Sequence, residues 1–127
     1  MGTLRGLADT SLFIGLEQGR IRQLQWSLAL SMVTVGELRL GVITATSTDQ
    51  RAARLRTLQN ALALDPYPVD DHVADAWAEL RASLRGTGRK LAANDSWIAA
   101  TAIAHNLPLV TQDRDYDGVP GLTVVAV

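Results

Sequence analysis

The chain contains no cysteine. A disulfide framework, a thiolate zinc site and a cysteine nucleophile are therefore excluded, and a reducing cytoplasm suits the composition. No apolar stretch approaches the roughly 20 residues needed to span a bilayer, so no membrane association is expected. The opening MGTLRGLADT has neither a long apolar core nor a small-residue cleavage site. No secretory signal is expected from it, and the cytoplasm is the expected location. An excess of charge is missing too: 12 Lys+Arg stand against 13 Asp+Glu, a net charge of −1. A protein that grips nucleic acid over its whole surface is more basic, so any such contact must come from a local patch. Internal repeats, low-complexity tracts and domain linkers are absent.

What is present is 127 residues of which 47% are apolar. That is enough for one domain, spanning 1–127, with a core of its own. LRGLAD (4–9) reads as a short buried strand. TSLFIGLEQG follows with Leu12, Phe13 and Leu16 at helical spacing, and Gly19 suits a helix stop. SLALSMV (27–33) is strand-like again, and 34–45 is a helix opened by Thr34. Residues 49–64 are amphipathic, with Ala52, Leu55, Leu58 and Leu62 on one face and arginines on the other. Pro66 and Pro68 break that helix, and 67–70 suggests a brief strand. A long helix is expected over 70–88, acidic at its start and basic at its end, as the helix dipole favours. The loop 86–94 carries the strongest flexibility signals. Residues 95–106 form a small-residue helix that should be buried, 107–111 a strand, 112–121 a turn-rich loop and 122–127 a closing strand. Strands alternate with helices, and the strands are short continuous apolar runs. An α/β fold is expected, with a central parallel β-sheet flanked by α-helices.

Four acids fall at element boundaries rather than on exposed faces. Asp9 ends the first strand, Glu37 lies in the first turn of the second helix, Asp95 opens the small-residue helix, and Asp113 follows LPLVT, with Asp115 and Asp117 close behind. Each has a purely structural explanation. Asp9 caps a helix, Thr34-x-x-Glu37 forms a capping box, Asp95 or Asn94 caps another helix, and Asp113 and Asp115 suit a turn. Strand ends and the helix starts that follow them share one edge of a parallel sheet, so the four acids are placed to converge. Packed carboxylates repel, and without a cation at least one takes up a proton. An all-oxygen set without Cys or His favours Mg²⁺ or Mn²⁺, and such a cradle suits phosphodiester hydrolysis.

Other residues compete poorly for catalysis. His72 and His105 sit at helix ends without the paired carboxylate or serine of a general base, and a cation at His105 would suit the helix dipole. Ser11 has no neighbouring histidine and no nucleophile-elbow motif. Arg81, Arg85, Arg89 and Lys90 cluster near the flexible loop, and Arg39 stands beside Glu37. They are either a solvated helix end or phosphate contacts beside the acids. Arg39, Arg85, Arg89 and Lys90 are the candidates for phosphate contact, holding a nucleic-acid backbone rather than reading bases.

The segments LADTSLFIGL, TVGELRLGV and NDSWIAATAIAHNLPLVTQDRDYDGVPGL together resemble a PIN-domain ribonuclease of the VapC toxin type, from bacterial toxin–antitoxin pairs. The resemblance runs in order over nearly the whole chain. Its most specific part is an acid opening an I-A-A-T-A helix, then a strand, then T-x-D-x-D-[YF]. The resemblance implies a PIN fold and metal-binding acids at Asp9, Glu37, Asp95 and Asp113, with Asp115 an auxiliary or alternative fourth. Asp9 and Asp95 would be the main ligands, and Thr111 and Asn94 would hold the carboxylates. Many relatives carry Ser or Thr before the Glu, where this chain has Gly36. The implied activity is Mg²⁺- or Mn²⁺-dependent cleavage of structured RNA, commonly tRNA or rRNA, which halts translation. The implied partners are a second copy of the chain and a VapB-type antitoxin that blocks the site and itself binds operator DNA.

Phosphoryl-transfer proteins with an aspartate nucleophile fit less well. A dehalogenase-like phosphatase needs D-x-D after the first strand, where this chain has D-T-S. A receiver domain needs a lysine at a late strand end, where Gln112 and Asp113 follow LPLVT. The remaining alternative is a non-catalytic RNA- or protein-binding PIN module, against which the presence of all four acids argues.

Overall fold

A computed structural model describes residues 4–127. The elements run β1 (Leu4–Ala8), α1 (Thr10–Glu17), β2 (Trp26–Ala29), α2 (Met32–Ile43), α3 (Thr48–Leu62), α4 (Asp71–Leu84), α5 (Ala93–Ala104), β3 (Leu109–Thr111), a 3-10 turn (Arg114–Tyr116) and β4 (Val124–Ala126). All strand pairs are parallel, in the order β2-β1-β3-β4.

Strand periodicity divides the core into two layers. Leu7 and Leu109 pack on one face with Leu80 of α4 and Ile98, Ala99 and Ala102 of α5. Their neighbours Ala8 and Val110 point the other way, against Leu12, Phe13, Val35, Leu38 and Ala61 of α1, α2 and α3. Because helices cover both faces, the strand centres read as continuous apolar runs rather than alternating ones. Each fully buried Leu or Ile contributes roughly 1.5–3 kcal/mol. The alanines of α5 let its backbone lie close to the sheet, and Ile98, Ala99, Ala100 and Ala102 are wholly buried. Gly6 serves a similar end on β1, since a Cβ there would stand 2.6 Å from Val110 Cγ2 and 3.0 Å from Trp26 Cε3.

The chain leaves β1 for β2 on one side, then returns to place β3 on the other side of β1. This is a topological switch point, and a crevice opens outside the carboxyl ends of strands at such a point. Asp9 follows β1 and Asp113 lies just beyond β3.

Several boundaries differ from the sequence expectation. β1 is buried only over Gly6, Leu7 and Ala8, and Leu4 is 60% exposed. β2 stops at Ala29 because Ser31 takes over as the cap of α2, accepting from Val33 N at 3.1 Å. Thr34 is therefore a buried residue inside the helix, not its cap. The brief strand at 67–70 reduces to a single bridge between Ser31 and Tyr67. α3 turns Leu58 and Ala61 inward and leaves Ala52, Leu55 and Leu62 exposed, so its buried row is not the expected one. α4 ends at Leu84, followed by Gly86 in the left-handed region at φ 77°. α5 runs over Ala93–Ala104, two residues earlier at each end than expected, and has no side-chain cap bond. β3 and β4 are both shorter than expected. Among the described residues no helix is long and apolar enough to cross a membrane.

Candidate active site

Asp9 caps α1 and also links two strand ends. Its Oδ1 accepts from Leu12 N at 3.2 Å, which caps α1, and from Ser11 Oγ at 2.8 Å. Its Oδ2 accepts from Thr111 Oγ1 at 2.8 Å, tying the end of β1 to the end of β3. The residue is 3% exposed. Burial pushes its pKa up, the Ser11, Thr111 and Leu12 hydrogen bonds oppose that, and the charge of Asp113 adds to the rise.

Glu37 has no part in a capping box, because α2 starts at Met32 and leaves it in the second turn. Its carboxylate instead reaches across to two other helices. Oε1 accepts from Thr10 Oγ1 of α1 at 2.5 Å, and Oε2 from Asn94 Nδ2 of α5 at 3.4 Å. Thr34 Oγ1 lies 3.2 Å from Thr10 Oγ1. Gly36, before the glutamate, offers no hydroxyl, and Thr10 supplies one from another element.

Asp95 is the third residue of α5, and neither it nor Asn94 forms a side-chain cap bond. Its Oδ1 accepts from Tyr116 Oη at 3.0 Å. Burial raises the Asp95 pKa, the Tyr116 hydrogen bond counters it, and the charges of Asp113, Glu37 and Asp9 raise it further. Tyr116 itself is wholly buried, and burial followed by the nearby carboxylates pushes its phenol up, so it stays a hydrogen-bond donor.

Asp113 follows Thr111 by two residues, and Thr111 Oγ1 accepts from Asp113 N at 2.8 Å. Asp113 Oδ1 accepts from Asp115 N at 2.9 Å and caps the 3-10 turn. Thr111 thus hydrogen-bonds to two acids at once, and Asn94 to Glu37. The supporting hydroxyls of Thr10, Ser11 and Tyr116 escaped the sequence reading. The consecutive D-T-S was the signal for the first two, whereas nothing local marks Tyr116 as a partner of Asp95.

Asp95, Asp113 and Asp115 each offer a carboxylate oxygen within 4.8 Å of the others. Oxygens on opposite sides of a Mg²⁺ ion stand about 4.2 Å apart, so an all-oxygen set of this spread suits a small hard cation. Asp113 and Asp115 both lie in this group. Asp9 and Glu37 stand outside this tightest group but act on Asp95 through their charges.

The basic candidates divide. Arg89 Nη2 donates to the Asp115 carbonyl oxygen at 2.6 Å, so it braces the acidic turn. Arg85, Arg89 and Lys90 line one depression at the end of α4. Arg39 is exposed two positions beyond Glu37, and residues two apart on a helix face different ways, so the fold does not bring it to the acids. The histidines serve structure. His72 Nε2 lies 2.7 Å from the Ala104 carbonyl oxygen, and His105 stacks on Tyr67 at 3.7 Å. Burial lowers the His105 pKa, so the helix dipole does not keep it charged. From Thr10, Glu37 and Asn94 a groove leads over Ile14 and Leu40 to Arg54. Beside Asp95, Trp77 and Trp97 stack at 4.4 Å and 5°, and Trp77 Nε1 donates to Ser96 Oγ at 3.0 Å, which locks α4 to α5.

The sequence matches the family described as PIN domain over residues 7–122. It is 44% identical over 130 residues to Ribonuclease VapC4 of Mycobacterium tuberculosis, covering 100% of each chain. To Ribonuclease VapC5 of the same organism it is 44% identical over 127 residues, covering 96% of this chain and 93% of that one. The fold superposes with a TM-score of 0.83 on a crystal structure of VapBC-5 from Mycobacterium tuberculosis, a member of the VapBC family of toxin–antitoxin systems. That match is 40% identical and covers 97% of this chain and 98% of the other.

Proposed function

The chain belongs to the PIN-domain family, and on that premise we propose that it is a VapC-type toxin, an endoribonuclease that uses Mg²⁺ or Mn²⁺. The observation that carries this reading is the grouping of three carboxylates from α5 and the turn after β3, with two more, after β1 and on α2, near enough to act on it by charge. Asp95, Asp113 and Asp115 offer oxygens within 4.8 Å, and Glu37 and Asp9 raise the Asp95 pKa. Two relatives at 44% identity over nearly the full chain carry the name ribonuclease.

Asp95, Asp113 and Asp115 would hold the cation, with Asp9 and Glu37 completing the charge of the pocket. When bound, such an ion makes a nucleophile available from water near neutral pH and offsets charge building on the scissile phosphate. The protein's share is orientation. Thr10 and Asn94 hold Glu37, Ser11 and Thr111 hold Asp9, and Thr111 also fixes the backbone of Asp113. Arg85 and Lys90, exposed beside the braced Arg89, are placed for contacts to RNA phosphates, which position a substrate without reading its sequence. The substrate would be a structured RNA, tRNA or rRNA, cut in the cytoplasm by a homodimer. A VapB-type antitoxin would be the partner, since the VapBC-5 structure pairs a similar chain with one. Contact with DNA would come only through that antitoxin.

The test is incubation of partner-free protein with tRNA and rRNA in Mg²⁺, Mn²⁺ or EDTA, beside Asp95→Asn. Discrete cleavage that needs the cation and falls by more than about 100-fold in the variant is expected, since losing a partner of a ligand alone costs 10- to 100-fold. Intact RNA throughout, from folded protein with cation bound, would favour a non-catalytic binding module.

A further inference from the structure

Tyr116 is the largest fully buried side chain among the described residues. A phenylalanine would fill the same space without a polar atom. A buried hydroxyl without a partner costs about 1–3 kcal/mol, so a tyrosine here needs an acceptor. The acceptor is Asp95 Oδ1, at 3.0 Å and 21 residues away in sequence. The ring packs in the layer formed by Leu80, Leu84, Ile98 and Leu109, so the hydroxyl is held by the core rather than by a surface loop.

Asp95 needs such a hold. It accepts no helix-cap bond, because α5 begins at Ala93. Among the described residues Tyr116 is its sole protein donor, whereas Asp9 has three and Glu37 two. Tyr116 also closes the 3-10 turn that begins at Arg114 and contains Asp115, and Arg89 ties that turn down from outside. The phenol therefore joins the start of α5 to the segment bearing Asp113 and Asp115.

We propose that Tyr116 is a positioning residue for divalent-cation binding: its hydroxyl fixes one oxygen of Asp95 and so sets how the carboxylate faces Asp113 and Asp115. This rests on the metal-site reading given above. It assigns cation affinity to a side chain that does not touch the cation. Loss of such an outer partner costs about 10- to 100-fold in metal affinity.

The experiment is Mn²⁺ titration, by calorimetry and by electron paramagnetic resonance, of the wild type, Tyr116→Phe and Asp95→Asn, with circular dichroism of each. Mn²⁺ affinity reduced at least about tenfold in Tyr116→Phe, with the wild-type spectrum kept, is the expected result. Unchanged affinity in Tyr116→Phe, with binding lost in Asp95→Asn, would overturn the positioning role and leave the site reading intact. No Mn²⁺ binding by the wild type would overturn both. If Tyr116→Phe does not fold, the phenolic proton of wild-type Tyr116 reports the same contact by NMR. A slowly exchanging resonance that moves on addition of Mg²⁺ supports the role, and a freely exchanging one overturns it.

Discussion

Thr10 donates its hydroxyl hydrogen to Glu37 at 2.5 Å, from α1 to α2, across 27 positions of sequence. The glutamate thus gains from another helix the support that the glycine beside it cannot give. The exchange is possible because Asp9 caps α1 and so starts the helix at Thr10. A single aspartate fixes the position of the hydroxyl while its own second oxygen faces Thr111.

Thr10→Val keeps the shape of the side chain and removes the donor. RNA cleavage and Mn²⁺ affinity are expected to fall by no more than about tenfold, since Glu37 completes the charge of the pocket rather than holding the cation. Steady-state cleavage and calorimetry check this, and a thermal melt excludes unfolding. Equal activity would mean that Asn94 alone orients Glu37.

Gly36 lies inside α2, and a Cβ there would meet nothing within 4 Å. Gly36→Ala is expected to stabilise the protein by about 1 kcal/mol, the helix-interior difference between the two residues. The urea midpoint should rise with an unchanged slope. A fall would show that the glycine serves a close approach in an assembly.

Gly6 is the opposite case. Its Cβ would stand 2.6 Å from Val110 Cγ2 and 3.3 Å from the Pro108 carbonyl oxygen. Gly6→Ala is expected to cost about 1–3 kcal/mol through overpacking between β1 and β3. Urea denaturation measures it, and the adjoining Asp9–Thr111 contact should loosen with it.

Stability should also depend on pH and cation together. Burial raises the pKa values of Asp9 and Asp95 above the ordinary 3.8. Protonation of the two acids therefore favours the folded state. That contribution is full below the unfolded value of 3.8 and is lost as pH rises through the raised folded-state values. A divalent cation removes the penalty for the ionised forms. The gap in Tm between Mg²⁺ and EDTA is expected to widen as pH rises above 3.8 and the acids ionise. A gap independent of pH would mean that these acids do not face the cation.

The alternation of strands and helices was legible because strands covered on both faces read as short continuous apolar runs, whereas helices space their apolar residues at about 3.6, and both signals are local. The acids stood out for the same reason: Asp9, Asp95 and Asp113 fall where one period gives way to another. Tertiary structure decided what each acid does. Ser31 rather than Thr34 caps α2, which released Glu37 from a capping box to meet Thr10 and Asn94. α5 started early, so Asp95 was left without a cap bond and took Tyr116. The inward face of α3 also depended on packing, since Leu58 and the smaller Ala61 are buried while Leu55 and Leu62 are exposed. In each case the deciding partner lies on another element, and side chains 21, 27 or 102 positions apart meet only once the sheet has brought the strand ends together.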